Sequence, residues 1–162
     1  MEIGCGCGSS ILPVLASNPQ AKATITDVSS TCISQLHAAA SSMGIDPETR
    51  ILSSFACDST DPSAGASLFE GIMADYLLIM FTLSAVAPEP QLEMLLNAWR
   101  ALRPGGRLML RDHGLYDMVQ VGSLKSHIES PQGRSISCFM LIKHLPVGGS
   151  ERYLKRPLLH CS

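Results

Sequence analysis

The sequence predicts an α/β fold built on a doubly wound parallel β-sheet, and three observations carry that prediction. Strand-like and helical segments alternate over the first 111 residues, in the order β-α-β-α-β-α-β-α-β. Residues 76–81 (YLLIMF) are apolar without alternation, which is typical of a strand covered on both faces. The stretch GCGCG at 4–8 directly follows the first strand, where an open parallel sheet turns into its first helix and binds ligands.

The first half of the chain supplies three strands and two helices. Residues 1–4 read as the end of a strand, and a helix is predicted over 9–17, with Ser9 or Ser10 as its N-cap. Residues 23–28 (ATITDV) are rich in β-branched side chains, which favours a second strand. A helix over 30–43 ends at Gly44, and 51–56 gives the third strand.

The second half completes the alternation. The ambiguous segment 63–71 is assigned to one short helix, and 76–81 is the fourth strand. A helix over 90–102 places five large apolar side chains on one face: Leu92, Leu95, Leu96, Trp99 and Leu102. A turn at 103–106 (RPGG) then precedes a fifth strand at 107–111. The pattern weakens after residue 122, so we divide the chain into a core at 1–122 and a divergent tail at 123–162.

Composition narrows the class of protein. The 162 residues are 46% hydrophobic and 16% charged, which favours one globular domain over disorder. No apolar run approaches the roughly 20 residues of a membrane span, and no signal peptide pattern is present, so we expect a cytoplasmic protein with no membrane partner. The six cysteines include no Cys-x-x-Cys pair, which favours thiols in a reducing compartment over a metal site.

Charge is distributed unevenly along the chain. Residues 1–122 contain 12 acidic and 6 basic side chains, whereas residues 123–162 contain 2 and 6. The core is therefore acidic and the tail basic. Any nucleic-acid partner would have to depend on the tail for phosphate contacts.

The register of the glycine turn distinguishes between two nucleotide cofactors. The dinucleotide pattern G-x-G-x-x-G requires a third glycine where this chain has Ser9. The run from Glu2 to Gly8 (EIGCGCG) instead resembles motif I of class I methyltransferases, which bind S-adenosylmethionine. We therefore predict S-adenosylmethionine as the cofactor, with Gly4, Gly6 and Gly8 in its turn; a tight turn without a ligand is the alternative.

Acidic residues follow the next two strands. Asp27 lies 23 residues after Gly4 at the end of the second strand, where its carboxylate can accept hydrogen bonds from both ribose hydroxyls of either cofactor. A turn residue without a ligand is an equal alternative for Asp27. Asp58, or its neighbour Ser59, follows the third strand and can meet the adenine amino group. An Asx-turn or helix cap is an equal alternative for Asp58, because the segment DSTDP is rich in turn residues.

Residues 75–118 are similar to the methyltransferase-like (METTL) family that forms 3-methylcytidine in tRNA anticodon loops. The resemblance rests on Leu-Ser-Ala at 83–85, Pro-Gly-Gly at 104–106 and the block RDHGLYD at 111–117, in which His113 replaces the family's usual tyrosine. With the glycine turn included, it covers residues 1–118. It implies the Rossmann-like fold of class I methyltransferases, tRNA processing by methylation, and tRNA as partner, with a helper protein for tRNA recognition.

The resemblance also assigns residues to roles. It implies cofactor contacts by Gly4, Asp27, Asp58, Ser59 and Met80, and contacts to the target base by Arg111, Asp112 and Tyr116. Packing in the core is an equal alternative for Met80, and a turn with an Arg–Asp ion pair is the alternative for 111–112. Cytosine N3 carries a free lone pair, so we assign no catalytic residue and expect rate to come from alignment of a base that has left its stack.

The resemblance stops at both ends of the chain. Family members carry a segment before the first strand and continue after the Gly-Leu-Tyr-Asp motif into two further strands, and we expect this chain to lack both. Three hypotheses follow: a tRNA cytidine N3-methyltransferase in truncated form, a non-catalytic methyltransferase fragment acting through a partner, or an NAD(P)-dependent oxidoreductase. The glycine register and the 111–117 block disfavour the third.

Overall fold

A five-stranded parallel sheet organises residues 1–113, the part of the chain that the computed structural model describes, without the side chains of residues 64–66. The strand order is β3-β2-β1-β4-β5. From β1 the chain adds β2 and then β3 on one side, crosses back, and adds β4 and then β5 on the other side of β1. This confirms the predicted doubly wound sheet, and it creates a switch point between β1 and β4, where such sheets bind ligands.

The bounds of the elements lie close to the predicted ones. The strands are β1 (Glu2–Ile3), β2 (Ala23–Asp27), β3 (Ile51–Ala56), β4 (Ala74–Met80) and β5 (Leu102–Arg111). The helices are α1 (Ile11–Ser17), α2 (Ser30–Ser42), α3 (Pro47–Arg50), α4 (Pro62–Leu68) and α5 (Gln91–Ala101), with a 3-10 turn at Leu83–Ala85. Within residues 1–113, none of these helices combines the length and the hydropathy required to cross a membrane.

Helix α3 and the 3-10 turn were not predicted, because each is too short to show a helical period. The sequence signal for α3 is its start. The Asp46 side chain accepts a hydrogen bond from the backbone N–H of Glu48 at 3.1 Å, and Pro47 occupies the first turn. An acidic N-cap followed by proline favours a helix even of one turn.

The predicted turn at 103–106 was wrong in its position relative to the strand. Strand β5 begins at Leu102, and its pairing with β4 jumps from Ala74↔Leu102 to Tyr76↔Arg107. Residues 103–106 therefore form an irregularity inside the ladder, with Gly105 at a φ of 78°. Because a Cβ on Gly106 would lie 2.8 Å from the carbonyl oxygen of Ala74, glycine is required where the irregularity crosses the neighbouring strand.

Two apolar cores lie on opposite faces of the sheet. One contains Leu15 of α1, Ile25 of β2 and Leu36 of α2, and the other contains Ile3, Phe69 of the α4–β4 segment and the inner face of α5. Strand β4 contributes to both, since Leu78 packs in the first core and Leu77 and Ile79 pack in the second. This explains why residues 76–81 show no alternation.

Candidate functional site

A cleft of about 490 Å³ opens at the carboxyl ends of the central strands. Its walls come from the loops after β1, β2, β3 and β4, so it lies at the switch point of the sheet. It is lined by Ile3, Gly4, Gly6, Asp27, Val28, Cys57, Asp58, Ser59, Thr60, Phe81, Thr82, Ala85, Val86, Ala87, Pro90 and Met94. The volume lies within the range of small-molecule and cofactor sites.

The glycine turn is fastened to the end of β2. The backbone N–H groups of Gly4 and Cys5 both donate to the carbonyl oxygen of Thr26, at 2.8 and 3.0 Å. The N–H of Gly6 donates to Oδ2 of Asp27 at 2.8 Å. The three glycines of the turn, Gly4, Gly6 and Gly8, all have positive φ, at 70°, 50° and 92°, a conformation that other residues adopt only with strain.

The three glycines serve different purposes. A Cβ on Gly4 would collide with the Thr82 side chain, and one on Gly8 would lie 2.7 Å from Leu12, so packing excludes larger residues at both positions. A Cβ on Gly6 would meet no described atom within 4 Å. Gly6 therefore faces the open cleft, whereas Gly8, predicted as a cofactor-binding residue, is buried against α1 and α2 and does not line the cleft.

Asp27 lies in the cleft wall at the end of β2, as its predicted role requires. Its Oδ2 accepts from Gly6 N–H, and its Oδ1 accepts from Ser29 N–H at 2.9 Å. The carboxylate therefore joins the glycine turn to the start of α2. Each oxygen can accept more than one hydrogen bond, so both can also accept from a ligand hydroxyl.

Asp58 and Ser59 also line the cleft, after β3. Oδ1 of Asp58 accepts from the backbone N–H and from the hydroxyl of Thr60, at 2.9 and 2.6 Å, which is the Asx-turn predicted as the alternative. Ser59 is buried, and its carbonyl oxygen accepts from the side chain of Asn97 at 2.9 Å. Burial raises the pKa of the neighbouring Cys57 thiol.

Three of the remaining predicted residues, Met80, Arg111 and Asp112, lie on the β4 and β5 side of the sheet. Met80 packs against the first core and is not among the cleft-lining residues. Asp112 is buried, with Oδ2 accepting from Ser84 N–H at 2.9 Å and Oδ1 from His113 N–H at 2.8 Å. Arg111 places its guanidinium carbon 5.2 Å from the centre of the Phe81 ring. Tyr116 lies outside the described residues.

Several cleft residues were not identified from the sequence. Phe81 and Thr82 follow β4, and Val28 follows Asp27, so each occupies the first or second position after a strand. That position was the available signal, because the carboxyl ends of parallel strands surround the ligand site. The large side chain that lines the cleft at the end of β4 is therefore Phe81, and not its neighbour Met80, which was predicted.

A buried carboxylate in β1 connects the two ends of the glycine turn. Glu2 is 1% exposed, and burial raises the pKa of its carboxyl to about 7; hydrogen bonds from Ser10 and from the backbone of Ile11 oppose that rise. These two donors belong to the start of α1. Glu2 therefore ties β1 to the helix that follows the turn, without lining the cleft.

Comparison with known sequences places the chain among methyltransferases. A family model described as a methyltransferase domain matches residues 1–108. The tRNA N(3)-methylcytidine methyltransferase Mettl2 of Drosophila melanogaster is 37% identical over 122 residues, which cover 74% of this chain and 36% of that protein. O-methyltransferase 3 of Dictyostelium discoideum is 31% identical over 121 residues, covering 75% of this chain and 26% of that protein. The chain thus spans about a quarter to a third of these relatives.

Solved structures share the fold. PKMT2 from Rickettsia typhi, in complex with AdoHcy, superposes with a TM-score of 0.59 at 21% identity, covering 84% of this chain and 25% of that one. The [4+2]-cyclase SpnF gives 0.56 at 22% identity, covering 68% and 37%. These likenesses confirm the predicted Rossmann-like fold of class I methyltransferases. Because one of them is a cyclase, the reaction has to be argued from the site.

Proposed function

The chain belongs to the methyltransferase domain family, and from that premise we propose that it transfers a methyl group from S-adenosylmethionine to N3 of a cytidine in tRNA. The observation that carries the proposal is the cleft at the switch point, where Gly6 leaves open space beside the Asp27 carboxylate. The block RDHGLYD at 111–117 and the Drosophila relative support cytidine N3 as the acceptor.

The residues of the cleft fit S-adenosylmethionine. Asp27 can accept from the ribose hydroxyls, Asp58 and Ser59 line the wall for the adenine, and Gly6 gives the methionine portion access to the backbone. A dinucleotide fits less well, because Gly8 does not line the cleft and its N–H already donates to the carbonyl oxygen of Cys5 at 2.9 Å, so it is not available to a pyrophosphate. When bound, the cofactor supplies a methyl group on a positively charged sulfur.

The chain's own residues are required to align and enclose the acceptor rather than to move a proton. Cytosine N3 has a free lone pair at neutral pH, so no general base is necessary and none is assigned. Asp112 accepts a hydrogen bond from Ser84 N–H in the loop after β4. This bond fixes the position of that loop, which forms one wall of the cleft. Alignment of this kind can supply a large part of an enzyme's rate acceleration.

A hydroxyl oxygen is the second candidate methyl acceptor, and one observation favours it. The Dictyostelium relative is named an O-methyltransferase and matches nearly the same share of this chain. An oxygen acceptor such as a hydroxyl needs a base to remove its proton. The described cleft contains Asp27 and Asp58 as carboxylates, and both accept backbone hydrogen bonds, so the N3 acceptor suits this site better.

The experiment is methyl transfer from labelled S-adenosylmethionine to total tRNA, followed by digestion and identification of the labelled nucleoside. One arm uses the 162-residue chain, and a second uses the chain flanked by the corresponding segments of a relative. We expect 3-methylcytidine, formed faster in the second arm, where the added segments supply phosphate contacts that the acidic residues 1–122 do not. A methylated hydroxyl would favour the second acceptor class. Cofactor binding without transfer in both arms would favour a non-catalytic role, with or without a helper protein.

The location we propose is the cytoplasm. Cys5, Cys7, Cys32 and Cys57, the described cysteines, are all free thiols. Free thiols next to a ligand site suit a reducing compartment.

A further inference from the structure

Phe81 adopts a backbone conformation that phenylalanine rarely takes. Its φ is 55°, in the left-handed region, whereas β4 ends one residue earlier at Met80. Within residues 1–113, the other non-glycine residue of this kind is Met73, in the turn before β4 and outside the cleft. For a bulky side chain this conformation is strained, whereas glycine would adopt it freely.

Hydrogen bonds explain why the backbone turns at position 81, but they do not explain why the residue there is aromatic. Phe81 N–H donates to the carbonyl oxygen of Arg111 at 2.7 Å, and the hydroxyl of the next residue, Thr82, lies 3.1 Å from the carbonyl oxygen of Met80 and 3.3 Å from that of Gly4 across the turn. Glycine at position 81 would make the same turn with less strain. The presence of an aromatic residue therefore points to a use for its side chain.

The ring is not used in the core. Phe81 is 47% exposed and lines the cleft, whereas the core phenylalanine Phe69 is fully buried. Its neighbours hold it in place. The Arg111 guanidinium lies 5.2 Å from the ring centre, and the His113 ring centre also lies 5.2 Å away, tilted by 48°. Contacts of this kind orient a ring without covering all of it.

The topology separates the ring from the cofactor's nucleoside. Asp27, Asp58 and Ser59 follow β2 and β3, on one side of β1. Phe81 follows β4, on the other side of β1, with β5 beyond it. A nucleoside held by the first group therefore directs the rest of the cofactor toward β4. The ring faces the end of the cleft at which a methyl acceptor would enter.

We propose that the Phe81 ring is the platform on which the methyl-accepting nucleobase stacks. This inference rests on the proposed function and names the contact that its acceptor makes. Stacking suits a nucleobase that has been flipped out of the tRNA stack. The flat contact with the aromatic ring orients the edge of the base that carries N3, and it does not require hydrogen bonds to the base. It also explains why an exposed ring persists at a strained position.

The test is saturation-transfer NMR with cytidine 5′-monophosphate, measured on the full chain with and without saturating S-adenosylhomocysteine. We expect transfer to the base protons H5 and H6, and none to ribose 5-phosphate. Phe81→Leu keeps an apolar side chain and the strain but removes the ring, and should weaken nucleotide binding roughly 5- to 100-fold. Phe81→Tyr keeps the ring and should bind as the wild type does.

Two further variants separate stacking from folding. Phe81→Gly should unfold at the same or a higher temperature while losing nucleotide binding. Met73→Gly, the matched control, relieves the same backbone conformation and should leave nucleotide binding unchanged. Wild-type binding by Phe81→Leu, or displacement of the nucleotide by S-adenosylhomocysteine, would overturn the inference. If the wild type does not bind S-adenosylhomocysteine, the proposed function fails instead, and the ring dependence of nucleotide binding still decides this inference.

Discussion

The backbone N–H of Gly6 donates a 2.8 Å hydrogen bond to Oδ2 of Asp27. The conformation of the glycine turn at the cleft therefore depends on the Asp27 carboxylate beside it. The second oxygen of Asp27 holds Ser29 N–H at the start of α2. Asp27 therefore shapes the glycine turn in addition to the ligand contact predicted for it. Changes at this position affect both the turn and binding.

Asp27→Ala should weaken binding of S-adenosylmethionine by about 1.5 to 3 kcal/mol, because a charge-assisted contact to the ribose is lost and Gly6 N–H loses its acceptor. Isothermal titration calorimetry measures the affinity. Asp46→Ala is the matched control, since Asp46 also accepts a backbone N–H beside a helix start but lies outside the cleft. It should lower stability without changing affinity. Equal affinities of the wild type and Asp27→Ala would remove Asp27 from the site.

Gly6→Val should abolish binding of S-adenosylmethionine while far-UV circular dichroism stays nearly unchanged. A side chain at this position meets no described protein atom within 4 Å and would extend into the cleft. Gly44→Val is the control, because Gly44 also has positive φ, at 74°, and open space around it, but lies outside the cleft. Both variants carry similar backbone strain. If the two lose affinity equally, strain rather than obstruction of the cleft is the cause.

Gly4→Ala should destabilise the fold by roughly 3 kcal/mol or more, because the added methyl group collides with the Thr82 side chain that crosses the turn. Thr82→Ala removes two of the three atoms in that collision. The double variant should therefore be more stable than the sum of the single effects predicts, in a double-mutant cycle measured by urea denaturation. Additive effects would mean that Gly4 is required by its φ of 70° alone.

The free energy of unfolding should depend on Glu2 between about pH 4.5 and pH 7. Burial raises the pKa of this carboxyl in the folded chain from its ordinary 4.5 to about 7, so the folded state holds the proton more tightly than the unfolded state does. The contribution is therefore largest below pH 4.5 and is lost as the pH rises through 7, by up to about 3 kcal/mol.

Glu2→Gln should flatten this difference, because the amide has similar size and does not titrate. Urea denaturation of both chains at several pH values measures it, and the gap between the two curves isolates Glu2 from other titrating groups. The wild type should lose stability relative to Glu2→Gln as the pH rises. A constant gap from pH 4.5 to 8 would show that the buried carboxyl keeps its ordinary pKa.

Local patterns in the sequence were sufficient for the order of the elements and for one wall of the site. Apolar periodicity and turn residues are read within a few positions, so the β-α alternation and the strand that carries Asp27 near its end were predicted correctly, one residue too long at Val28. The register of the glycine turn is local as well, and it distinguished one cofactor class from the other before any contact was known.

The other wall depended on contacts between residues far apart in sequence. Whether Met80 or Phe81 faces the cleft is decided by the left-handed turn at Phe81, which exists because its N–H reaches Arg111 and Thr82 crosses over Gly4. Asp112 faces Ser84 N–H for the same reason, since β5 lies beside β4 in the sheet. Sequence spacing carries no record of such crossings. The tertiary structure alone therefore decided which side chains meet at the β4 end of the cleft.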